Sequence, residues 1–125
     1  MAEQTKVVAV RGAAQADENS AEAILAATGK LVQELMEMNE LSPDQMISAI
    51  FTTTPDLDAE FPAVAARGMG LDGVPLMCAR EIPVPGAMAR VIRVMVHCNF
   101  PASRQVRHVY LGETRSLRTD LNSAQ

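Results

Sequence analysis

In "RVIRVM" an arginine, Arg93, interrupts an apolar run made of Val91, Ile92, Val94, Met95 and Val96. Strand side chains alternate between two faces. On a strand from Arg90 to His97, Ile92, Val94 and Val96 share one face, and Val91, Arg93, Met95 and His97 share the other. A guanidinium among apolar neighbours is costly to desolvate alone, so it needs an internal partner or an anionic ligand. Glu81, closing "VPLMCARE", can be that internal partner, and this segment alone fits a salt bridge as well as a ligand site. Arg11 is a second case, placed by "VVAVRG" at the end of a strand before Gly12. Cys78 precedes Glu81 by three residues, so the two face opposite ways on an ideal strand. Both line one site only where the strand twists, bulges or ends. Taken alone, Cys78 reads as a small core residue. Arg67 in "FPAVAAR" reads as a helix-end charge favoured by the dipole. Tyr110, the only Tyr, reads as a half-buried sheet residue, and Arg118 as a solvated charge in the tail.

Little other chemistry competes with arginine and carboxylate. There is no G-x-G-x-x-G, no P-loop, no paired-Cys zinc signature and no G-x-S-x-G. His97 and His108 lack the spacing of a helical metal pair, so no metal is expected. A nucleophile with a base is not evident beyond Cys78 with a distant His. The net charge of −4 argues against general binding to nucleic-acid phosphates or anionic membranes. Anion binding must come from locally focused Arg. Cys78 and Cys98 form neither a disulfide framework nor a metal pattern and read as reduced thiols. "MAEQTKVVAV" has only a short apolar run, and no stretch approaches the length of a membrane span. A cytoplasmic protein is expected.

The elements that must hold these residues read as a mixed α+β domain occupying residues 1–125, with a polar and partly mobile tail from about Gly112. Its 48% hydrophobic residues can supply a core, and Met fills gaps that the scarce aromatics, 3% of residues, leave. A first strand runs from Lys6 to about Arg11 and leaves the sheet at Gly12. A helix follows from Ser20 to about Asn39, with Asn19 as cap, Glu22 completing a capping box, and Ile24, Leu25, Leu31, Val32, Leu35 and Met36 at helical spacing. "LSPDQ" starts a short helix, with Ser42 as cap and Pro43 at its first position. Strands are expected at Ser48–Thr54, Val74–Ile82, Arg90–His97 and Val106–Leu111. Pro62 opens a short helix that stops near Gly68, and a turn or short helix lies around Ala87.

The order of several motifs carries a resemblance that no single one does. "VRGA", "TPDLDAEFPAVAAR", "VPLMCAREI", "RVIRVM", "RHVYL" and "LRTDL" together resemble the monofunctional, AroH-class chorismate mutases, over about Val7 to Leu121. The resemblance implies a mixed five-stranded sheet with flanking helices, assembled as a homotrimer with a barrel-like core and active sites between subunits. It implies the rearrangement of chorismate to prephenate on the route to Phe and Tyr, with no cofactor and no metal. Arg93 then corresponds to the donor aimed at the ether oxygen and a carboxylate, and Arg11 to the other main carboxylate-binding arginine. Glu81 corresponds to the acceptor for the substrate hydroxyl, with Cys78 as a polar contact beside it, and Tyr110 bonds a carboxylate. Phe61, Ala63, Val74 and Leu117 match pocket-wall positions, with Met77 beside the thiol. The stretch from Phe61 to Arg67 reaches in from the neighbouring chain, and Arg67 and Arg118 draw in or retain the dianion. Two positions depart from the pattern: Val64 stands where some members carry Lys, and Met77 where a Thr can precede the Cys.

Two other functional classes remain compatible with the residues. One is a non-catalytic trimer that binds a small carboxylate or a partner protein with the same arginines. The other is an imine or enamine deaminase of similar trimeric fold, whose activated water and motif set are not visible.

Overall fold

The computed structural model describes residues 3–117, so Arg118 and the residues after it lie outside the described part. Five strands form one mixed sheet: β1 (Thr5–Gln15), β2 (Met46–Thr53), β3 (Leu76–Arg80), β4 (Val91–Pro101) and β5 (Val109–Tyr110). Their spatial order is β3-β2-β4-β1-β5. The central strand β4 runs antiparallel to both β1 and β2, whereas β3 and β5 add in parallel at the edges. Helix α1 (Ala21–Asn39) and the short α2 (Ala63–Gly68) pack on one face. The expected α+β class and five-stranded sheet are therefore present.

The core follows from the alternation. Val94, Val96, Cys98 and Phe100 of β4 and Val10 and Ala14 of β1 meet Leu31, Val32 and Leu35 of α1. Phe51 and Phe100 are fully buried there, each contributing roughly 1.5–3 kcal/mol by burial. Among the described residues no α-helix packs on the opposite face. That face exposes Val7, Ile50 and Met77, and it carries Arg11 and Arg93.

Several boundaries differ from the sequence expectation. Strand β1 does not leave the sheet at Gly12 but continues to Gln15, paired with β4 throughout. Strand β4 likewise runs on through Asn99 to Pro101, because Thr5, Lys6 and Val7 pair with its end. Strand β3 is shorter than expected, and β5 has only two residues. The start of the tail is ordered: Gly112–Leu117 forms a 3-10 turn whose buried Thr114 donates to the Ala13 carbonyl at 3.1 Å. "PDQ" likewise makes a single 3-10 turn, with the Ser42 N–H bonded to Gln45 at 2.9 Å. The cap of α1 is Ser20, whose hydroxyl accepts from the Ala23 N–H, and not Asn19. Asn19 instead accepts from the backbone of Asp58 and Ala59, tying the helix entry to the loop after β2.

Gly12 shows why a residue that reads as a breaker sits inside a strand. A Cβ there would stand 2.9 Å from both Leu31 Cδ1 and the Val109 carbonyl oxygen. The leucine can shift, but the carbonyl belongs to the adjacent strand β5. Gly12→Ala is therefore expected to destabilise the fold by about 1–3 kcal/mol, read as a lower urea midpoint with an unchanged slope.

Candidate active site

The helix-free face of the sheet holds a recess of about 250 Å³ lined by Arg11, Thr52, Glu81, Arg93 and Tyr110, with Ile50 and Met95 among its apolar walls. Register explains the grouping. Arg93 lies between Ala13 on one side and Thr52 on the other, and Arg11 pairs with Met95 two residues along. The N–H of Glu81 continues the β2–β3 ladder by donating to the Thr53 carbonyl at 2.9 Å. That contact holds Glu81 just beyond the end of β3, beside Arg93. Tyr110, on the two-residue β5, packs on Ala13 and Val91, and Leu117 packs against the same cluster.

Arg93 is less buried than its apolar neighbours suggest, because the face it occupies carries no helix. Its side chain is 43% exposed, yet its Nε is buried with no hydrogen-bond partner among the described residues. Glu81 Oε2 lies 3.6 Å away, close enough for an ion pair and too long for a hydrogen bond. The internal salt bridge and the ligand-seeking cation are thus both present in part. Glu81 Oε2 takes its hydrogen bond from the Thr52 hydroxyl. Sequence reasoning missed Thr52, since its facing Arg93 depends on a register that the sequence does not display. It also missed His108, whose Nδ1 accepts from the Arg11 N–H at 3.0 Å and so fixes the backbone that carries Arg11.

Cys78 is not brought to Glu81 within one chain. It pairs with the buried Phe51 and so lies on the other side of β3, as the three-residue spacing implies. There it joins Phe61, Ala63, Arg67, Leu76 and Met77 around a second recess of about 320 Å³ at the sheet edge. Phe61 and Met77 are exposed large apolar residues, and Arg67 is exposed at the end of α2. Val74 lies in the main core and lines neither recess. Val64 is half-buried in α2. The residues singled out from the sequence therefore divide into two groups on one chain. Among the described residues no three His, Cys, Asp or Glu side chains gather as a metal site requires.

The start of β4 is held from outside the sheet. Arg90 adopts a left-handed conformation, φ 57°, which is strained for a residue with a Cβ. Its N–H donates to Asp56 Oδ2 and its Nε to the Ala16 carbonyl, both at 2.9 Å. Next to it, the Val91 N–H donates to Thr54 Oγ1 at 3.0 Å. Thr54 also bonds Asp56, and that contact, reinforced by the Arg90 N–H against a desolvation cost, holds the Asp56 carboxyl below its ordinary range. The "TPD" motif thus fixes the strand three residues before Arg93. Cys98, by contrast, is fully buried, and burial pushes its thiol up, away from reactivity.

The chain is similar in sequence and fold to known proteins of one kind. The family model described as chorismate mutase type I matches residues 7–121. The chain is 48% identical to the protein named "Chorismate mutase AroH" of Thermus thermophilus, covering 93% of this chain and 97% of that one. A protein of the same name from Bacillus subtilis (strain 168) is 38% identical, covering 90% of this chain and 91% of its own. A solved chorismate mutase from Clostridium thermocellum superposes with a TM-score of 0.82 at 46% identity, over 87% of this chain and 98% of the other.

The chain belongs to the type I chorismate mutase family. It is an isomerase of aromatic amino-acid biosynthesis, converting chorismate to prephenate. A chorismate mutase has no acyl or phosphoryl group to transfer, so its chemistry does not call for a nucleophile. No helix among the described residues is long and apolar enough to cross a membrane.

The Asp56 contacts make part of the stability acid-sensitive. Its folded pKa is depressed, so its contribution is present above the ordinary value of 3.8 and is lost as pH falls through the lowered folded value. Asp56→Asn is expected to be less stable than the parent at neutral pH, with the difference narrowing below about pH 4, as urea titrations across that range would measure.

Proposed function

We propose that Arg11, Glu81, Arg93 and Tyr110 bind and rearrange chorismate on the helix-free face, and that a neighbouring copy of the chain completes the site with Phe61, Ala63, Arg67, Met77 and Cys78. The observation that carries this reading is the buried, unbonded Nε–H of Arg93 within a recess that also holds Arg11, Glu81 and Tyr110. The rearrangement breaks a C–O bond and forms a C–C bond in one cyclic movement of electrons. No covalent intermediate and no obligatory proton transfer intervene, and no cofactor is required.

Each residue has a role set by its charge. As the C–O bond breaks, negative charge grows on the ether oxygen, and a preorganised donor there lowers the barrier. Arg93 supplies that donor and contacts a carboxylate. Arg11 and Tyr110 hold a carboxylate, and Glu81 accepts from the substrate hydroxyl. Together they hold the flexible dianion in its reactive, folded shape, which removes an entropic part of the barrier. Leu117 packs on the cluster that holds Tyr110, and Arg118 lies near enough in sequence to bring a further cation.

A homotrimer would join the two recesses. Exposed Ile50, Phe61 and Met77 supply apolar surface for that contact, and Arg67 would draw in the dianion without the lysine that Val64 replaces. The two free thiols fit a reducing, cytoplasmic setting.

Two experiments test the proposal. Arg93→Ala is expected to lower kcat by about 10²- to 10³-fold, followed as loss of chorismate absorbance, with sedimentation unchanged. Near-normal turnover would remove Arg93 from the chemistry. Arg93→Ala and Arg67→Glu chains, each weakened alone, are expected to regain activity when refolded together, because mixed trimers contain some sites with both halves intact. Absence of any recovery above the sum of the two would place each site within one chain.

A further inference from the structure

We infer that Thr52 is a positioning residue that keeps the Glu81 carboxylate from taking up the Nε–H donor of Arg93. This deepens the proposed roles of Glu81 and Arg93 and rests on them. Glu81 is anchored at its backbone by the Thr53 carbonyl, so only its side chain has freedom to choose a partner. Two donors compete for Oε2. The Thr52 hydroxyl holds it in a hydrogen bond, whereas Arg93 Nε remains at 3.6 Å without one. Thr52 and Arg93 are direct cross-strand partners, and Thr52 also faces Ala79, two residues before Glu81. The hydroxyl therefore sits between the elements that carry the two charges.

A carboxylate with no other donor would close onto the guanidinium, since charge-assisted hydrogen bonds are the stronger kind. The N–H meant for the ether oxygen would then be occupied in the ground state. By holding Oε2, Thr52 leaves Arg93 its unspent donor and leaves the other carboxylate oxygen to the substrate hydroxyl.

Thr52→Val preserves shape and removes the donor. Its kcat is expected to fall roughly 10- to 100-fold, with KM changed far less, and Thr52→Ser should restore it. In a Glu81→Gln background, where no charge pair can form, Thr52→Val should have little further effect. Fully additive losses, or a Thr52→Val enzyme with normal kcat beside an impaired Glu81→Gln, would overturn the inference and leave the role of Glu81 standing. Normal turnover in Glu81→Gln would instead remove Glu81 from the site, and the inference with it. Circular dichroism and sedimentation of each variant separate these results from misfolding.

Discussion

Strand β4 can bury Ile92, Val94, Val96, Cys98 and Phe100 only by turning Arg93, Met95 and His97 to the other side. Most of the molecule follows from that alternation. The apolar side needs cover, which α1 and α2 supply. The other side keeps a half-exposed guanidinium on a rigid element with strands bonded along both edges. Placing the cation at the centre of the sheet fixes its position through the backbone, at no cost in loop ordering. The remaining site residues then need only be adjacent in register, as Thr52 is, or at the end of the next strand but one, as Glu81 and Tyr110 are.

Close approach is the second condition. With few aromatics, the chain packs α1 near the sheet by keeping side chains small where they meet. Gly12 and Ala14 are the small positions of β1 beneath α1, and Leu31 and Leu35 occupy the space above Gly12. The same closeness lets β5 pair beside Gly12 and bring Tyr110 to the recess. Core packing and site construction therefore share one short stretch of sequence.

Element type and face were legible in the sequence because apolar spacing reports them directly. Element ends were not. Gly12 reads as a stop because glycine is usually chosen for turns, and here it was selected for a contact with a helix and a neighbouring carbonyl. "NFPASRQ" reads as a loop from Asn99 and Pro101, yet pairing with Thr5–Val7 extends β4 through its first three residues. The cap position slipped by one residue because Asn19 has a better use on the loop at Asp58. Within the proposed site, Arg11, Glu81 and Arg93 stand out by their charge and Tyr110 only through the family resemblance, whereas Thr52 does neither. A threonine on a strand has no distinctive signature until its cross-strand partners are known. The three-residue offset between Cys78 and Glu81 did carry its message: the two lie on opposite sides of β3.

The strained Arg90 and its contacts to Asp56 and Ala16 have a meaning beyond stability. A strand slipping by one residue keeps nearly all its backbone hydrogen bonds, so the ladder itself barely distinguishes odd from even. For β4 the two parities are far from equivalent: one slip would drive Arg93 into the core and turn Val94 toward the recess. The bond from Arg90 Nε to the Ala16 carbonyl needs that particular side chain at that place, so it favours one parity from outside the ladder. That one side-chain bond thus acts as an error check on which side of the sheet carries the guanidinium.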